Sequence, residues 1–204
     1  MLSSANVPRF GGVVSVLAGV LMIAHGLILI LLHPHFWAAS SFYDYLSIVL
    51  TSITFLALVG GLLGLHARQA GHCGKLEGLE KISFFLAVLG ATVAAVSNVA
   101  EDGFHIPLMG WVFIASAFIL LLGLLLLAIA TLGANVLPRW YGWTLLVGSL
   151  GLLLNNLLAN GGMILFGLTL IVLGYALWKD QTSVPVPSER IHQETLLHTG
   201  EGRR

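Results

Sequence analysis

Six long apolar runs, separated by short polar connections, divide the chain into Phe10 to Leu32, Tyr43 to Leu65, Ile82 to Ala100, Leu108 to Leu132, Trp140 to Leu158 and Gly162 to Trp178. A helix needs roughly 20 apolar residues to cross the hydrocarbon of a bilayer, so each run reads as a membrane span, with the last two marginal in length. Asn160-Gly161-Gly162 joins that last pair and signals a turn, because glycine accepts positive φ without steric cost. A re-entrant hairpin is the alternative for the pair. Reading it as one continuous span would carry Lys179 and Arg190 to the opposite side from every other cation, so that reading is rejected. The pattern predicts an all-α integral membrane protein, a six-transmembrane-helix bundle over residues 1–178. After Lys179 the chain turns to Gln, Thr, Ser, Pro, Glu and His, and a disordered tail is expected over 179–204.

Small residues recur at helical spacing inside the runs: Gly12, Ser15, Gly19 and Gly26 in the first, Gly60 and Gly64 in the second, Ser116, Gly123 and Ala130 in the fourth. Lipid gives helices no hydrophobic reason to associate, so such stripes serve close backbone approach. Packing within this bundle is the expectation, ahead of a homo-oligomer face. Aromatic side chains with an apolar body and a polar edge mark the interfaces: Phe36 and Trp37 on one side, Trp140, Tyr141, Trp143, Tyr175 and Trp178 on the other.

Composition reinforces the reading. The chain has 204 residues, 57% hydrophobic and 9% charged, with a mean hydropathy of +0.95; no water-soluble core could bury that fraction, and lipid must be the solvent. All nine Lys and Arg fall on one side of the six-helix topology: Arg9, Arg68, Lys75, Lys81, Arg139, Lys179, Arg190, Arg203 and Arg204. Cationic loops stay in the cytoplasm, so both termini are expected there, in the plasma (inner) membrane. The first run is longer than the roughly 7–15 residues of a signal-peptide core and is expected to be retained. No basic face remains for nucleic acid. The lone Cys73 excludes an intrachain disulfide and any zinc site built on two cysteines.

Candidate chemistry lies on the outer side. Asn98, Glu101, Asp102 and His105 follow steps of three, one and three, and a continuing third helix would carry all four on one face. Carboxylate and imidazole at that spacing suit a cation-entry site, a proton relay or a metal clamp, whereas the bland reading is a solvated helix end. His25 lies in the outer leaflet of the first span, either as a neutral imidazole bonded to a neighbouring helix or as a partner of Glu101. Asn155, Asn156 and Asn160 gather at the outer end of the fifth run, as capping and interhelical groups or as ligand contacts. His33 and His35 flank Pro34; with Asp44 and His105 they form a candidate divalent-metal set. The inner half of the membrane is expected to carry only Ser, Thr and Gly as interruptions. No G-x-S-x-G, H-E-x-x-H, phosphate loop or C-x-x-C is present.

These features point first to a non-enzymatic membrane protein. Its outer polar cavity would bind a cation or small polar ligand through Asn98, Glu101, Asp102, His105, His25, Asn155 and Asn156. The alternatives are an accessory subunit with membrane-protein partners or a homo-oligomer, and a metal-dependent membrane hydrolase using His33, His35, Asp44 and His105.

Overall fold

The computed structural model describes residues 7–32, 42–69, 76–134, 137–155 and 160–179. Its elements are α1 (Val7–Leu32), α2 (Phe42–Gln69), α3 (Glu77–Asn98), α4 (Leu108–Ala134), α5 (Arg139–Leu153) and α6 (Gly161–Lys179), with a π-helical turn, Val99–Gly103, extending α3. No strand occurs among the described residues. His33, His35, Cys73, Asn156 and the tail beyond Lys179 lie outside them.

Small residues line much of the inner face of the helices, interleaved with buried large side chains such as Leu58, Leu124, Tyr141 and Phe166, while many other large apolar residues face outward. On α1 the buried face includes Gly11, Gly12, Ser15, Ala18, Gly19 and Gly26, while Phe10, Val13, Leu17, Val20, Leu27 and Leu31 are exposed. In water that outer surface would carry a large hydrophobic cost; in lipid it costs nothing, and the small inner face gains van der Waals contact. Five helices are long and apolar enough to cross a membrane, and α5 is shorter, at 15 residues. The chain is therefore a multi-pass integral membrane protein.

The glycine stripes decide which helices meet. Gly12 faces Gly174, Gly19 faces Gly167, and Gly26 faces Met163, Ile164 and the Asn160 carbonyl, so the two helices α1 and α6 run antiparallel with matching intervals of seven residues. A Cβ on Gly12 would lie 2.8 Å from the Gly174 oxygen, closer than any side chain tolerates. On the neighbouring face of α1, Gly11 abuts Gly64, and Ser15 abuts Gly61 of α2. Gly90 of α3 receives Leu120, and Gly123 of α4 receives Ala87. The stripes thus pack this bundle internally.

Contact between α1 and α6 is kept from Gly12 to Gly26, roughly 21 Å of helix axis. Helix α5 also runs from end to end, since Gly142 packs on Leu132 near the end of α4 while Asn155, just past its last turn, sits beside Gly162 at the start of α6. A re-entrant hairpin, with both helices confined to one half of the bundle, is not the arrangement found. The start of α1 and the end of α6 therefore share one end of the bundle. That end also carries Arg9, Arg68, Lys81, Arg139 and Lys179, at or near the ends of their helices.

Helix boundaries differ from the predicted runs in one consequential way. Helix α2 continues to Gln69 and α3 begins at Glu77, which brings polar residues expected in a connection into the bundle. The expectation that this half holds only Ser, Thr and Gly is corrected: Glu80 is 1% exposed and Gln69 likewise buried. The Glu80 Oε1 atom lies 2.7 Å from His66 Nδ1, and the His66 ring stacks on Phe84 with centroids 4.2 Å apart. Gln69 donates from Nε2 to Thr131 Oγ1 at 2.7 Å. These contacts join α2, α3 and α4 and satisfy groups whose burial would otherwise be costly.

Candidate ligand-binding cavity

At the opposite end, all six helices converge on one cavity of about 420 Å³, within the range of small-molecule sites. Its walls are mainly apolar: Met22 and Leu29 from α1, Phe55 from α2, Phe113 and Ile114 from α4, Leu152 from α5 and Met163 from α6. Phe55 and Phe113 meet edge to face at 6.2 Å. Into this hydrocarbon surface project His25, Thr51, Asn98, Glu101, Asp102, Asn155 and Asn160. The tertiary structure so gathers His25, Asn98, Glu101, Asp102 and Asn155, which the sequence places on three different helical segments, around one space.

His25 is 3% exposed and bonded to α2. Its Nε2 lies 3.1 Å from Thr51 Oγ1, and its Nδ1 lies 3.4 Å from Ser47 Oγ. Because the Thr51 hydroxyl donates its only hydrogen to the Ser47 carbonyl at 2.8 Å, it can only accept from the imidazole. Nε2 is then the donor and Nδ1 the acceptor, a neutral ring with both nitrogens engaged. The reading of His25 as a ring bonded to a neighbouring helix describes this geometry, and its hydroxyl partners Ser47 and Thr51 were not anticipated from sequence.

Asn98 locks α3 to α2. Its Nδ2 donates to the Ile48 carbonyl at 3.1 Å and to Ser52 Oγ at 3.0 Å, and Ser52 in turn donates to the Ala95 carbonyl at 3.3 Å. Asn155 and Asn160 organise the α5–α6 turn. Asn155 Oδ1 accepts the Met163 N–H at 3.0 Å, capping an orphan donor of α6, while Asn155 Nδ2 donates to Asn160 Oδ1 at 3.2 Å. The positive φ of this turn, 69°, falls on Asn160 rather than on the glycines after it.

The carboxylates differ from all of these. Asp102 is 8% exposed and lines the cavity, yet it makes no hydrogen bond or ion pair with the described residues; the charges acting on it are Glu101 and His105. A solvated helix end does not describe it. Glu101 is half-buried and lies across the first turn of α4, where a Cβ on Gly110 would stand 2.7 Å from its Cδ. Only glycine leaves room for the carboxylate there, near a helix N-terminus whose dipole favours it.

His105 is not with them. The α-helical register ends at Asn98 and widens into the π turn, which re-aims Glu101 and Asp102 toward the cavity. The chain then leaves the helix, with His105 at φ 55°, exposed and outside the cavity lining. Pro107 disfavours helical geometry at Ile106, just before it, and the helix has already ended at Gly103, so no continuous face runs through His105. π turns of this kind often occur at functional sites.

The metal set is not assembled by the described residues, among which no three His, Cys, Asp or Glu side chains are grouped to hold an ion. Asp44 is buried in the first turn of α2, His105 is exposed in the α3–α4 connection, and His33 and His35 lie outside the described residues. Comparison of the chain with protein-family descriptions, with curated proteins and with solved structures finds no match.

Proposed function

We propose that this membrane protein binds a cation, for transport or sensing, in the cavity where its six helices converge. One observation carries the reading: a buried acidic side chain, Asp102, faces an apolar cavity that no described Lys or Arg lines, and makes no hydrogen bond or ion pair with the described residues. Ionisable groups at membrane depth are costly and are retained where they serve an ion or substrate pathway. Glu101 supplies the second carboxylate, Asn98 and the π turn aim both, and His25 and Asn155 hold the surrounding helices in register. The cations Arg9, Arg68, Lys81, Arg139 and Lys179 gather at the other end, which supports a cavity opening away from the cytoplasm, in the plasma membrane. Neither an enzymatic step nor a partner subunit is part of this reading, and the named glycine stripes are used within the bundle.

The test is thermal stability in detergent against a panel of inorganic and organic cations, for wild type and for Glu101→Gln with Asp102→Asn. A ligand at a hundred times its Kd stabilises by about 2.7 kcal/mol, so a bound cation should raise the wild-type melting temperature and leave the double variant unmoved. No cation effect in either protein would sink the proposal and put the accessory-subunit reading in front.

A further inference from the structure

Resting on the cavity reading above, we infer that the ligand is a monovalent organic cation with an apolar body, not a metal ion. Two independent features of the site point to it. The first is Asp102, more than nine-tenths buried, unpartnered among the described residues and facing the cavity. The second is the character of everything around it. A calcium ion takes six to eight oxygens and magnesium a near-ideal octahedron. Here the amide oxygens of Asn155 and Asn160 already accept hydrogen bonds, and both nitrogens of His25 are engaged. Among the described carboxylate and amide side chains, open acceptor oxygens remain on the two carboxylates and on Asn98, whose Nδ2 alone is engaged; that set falls short of the six to eight oxygens of a calcium ion and is not an octahedron.

An organic cation places a different demand on the site. It needs one region of negative charge and a hydrocarbon surface for the rest of its body. The cavity offers charge at Asp102 and Glu101, and Phe55, Phe113, Ile114 and Met163 for the body. The faces of aromatic rings also favour a diffuse positive charge over a strongly hydrated one. The polar hydrogens of His25 and Asn98 are directed to protein acceptors, and no Lys or Arg among the described residues lines the space, so an anionic ligand of the same shape finds no counter-charge there.

Tetraphenylphosphonium is a suitable probe, measured by equilibrium dialysis with the full chain in detergent. Tetraphenylborate, which has the same body and opposite charge, tetramethylammonium, which has the charge without the body, and Ca2+ and Mg2+ serve as comparisons. The expected result is saturable binding of tetraphenylphosphonium at one site per chain, weakened at least roughly tenfold by Asp102→Asn, with no saturable binding of tetraphenylborate. Ile114→Trp, which narrows the apolar wall and leaves both carboxylates in place, should weaken tetraphenylphosphonium while leaving tetramethylammonium unchanged. Melting curves of the two variants establish that they fold. Asp102-dependent binding of Ca2+, Mg2+ or tetramethylammonium in preference to tetraphenylphosphonium would overturn this inference and leave the cation-binding cavity standing. Absence of any saturable binding would overturn both. Phosphonium binding indifferent to Asp102→Asn and Glu101→Gln would reveal uptake by the micelle and also overturn the inference.

Discussion

Replacing Gly19 with alanine tests the central contact of the bundle with a single methyl group. Gly19 faces the Gly167 carbonyl, and a Cβ added to it would also lie 2.7 Å from Ile171 Cγ1 and 3.0 Å from the Ile171 amide nitrogen. Two of these three obstacles are backbone atoms of α6, which cannot rotate away as a side chain can. Restoring an ordinary carbon contact of roughly 3.5–4 Å requires α1 and α6 to separate by about 1 Å. A radial gap of 0.5–1 Å forfeits about a quarter to a half of each dispersion contact, and the loss extends along the helix pair to Gly12 against Gly174 and Gly26 against Ile164. Overpacking of this kind costs about 1–3 kcal/mol, and Gly19→Leu should exceed Gly19→Ala. The internal control is Gly78, which has nothing within 4 Å of its added Cβ; there, Gly→Ala should stabilise by up to about 1 kcal/mol through helix propensity. The two alanine variants differ in sign, so general effects of alanine or of detergent cannot imitate the result. Tryptophan fluorescence melting in one detergent provides the assay, with about 2–4 °C expected per kcal/mol for a chain of this size. Equal melting temperatures for Gly19→Ala and Gly78→Ala would refute the α1–α6 contact.

Gly110→Ala should leave the fold nearly unchanged, because the obstacle to its Cβ is the flexible Glu101 carboxylate, while cation-dependent stabilisation falls as that carboxylate is displaced; retention of the full cation response would remove Glu101 from the site. At the other end, His66→Ala leaves the buried Glu80 without its ring partner and should cost about 1–3 kcal/mol in melting experiments, more than Glu80→Gln, whose amide oxygen can still accept from Nδ1; the reverse order would show that the pair does not hold these helices. A reporter fused after Trp178 should score cytoplasmic and one inserted at Ser40 external, and an external Trp178 would overturn the proposed orientation.

The sequence alone determined those properties that depend on the identity of residues rather than on their partners. Apolar length dictates membrane helices because unpaired backbone groups cannot be left in lipid, and the segregation of Lys and Arg dictates an even alternation of connections. The stripe at Gly12, Gly19 and Gly26 was legible as a packing face; that its partner is α6, through Gly167 and Gly174 at the same seven-residue interval, became clear only when the helices were brought together. Polar clustering near Asn98, Glu101 and Asp102 was legible too. Tertiary structure decided the rest. It set α2 and α3 long enough to bury His66 and Glu80, a pair invisible in hydropathy because polar residues at the end of an apolar run resemble a loop. It also inserted the π turn that separates His105 from Asp102, since the register of a helix near proline depends on local backbone geometry as well as on spacing. Whether a carboxylate is solvated or buried is likewise a property of what covers it, and the π turn that carries Asp102 packs against α2, some fifty residues earlier, as well as against its neighbours α3 and α4.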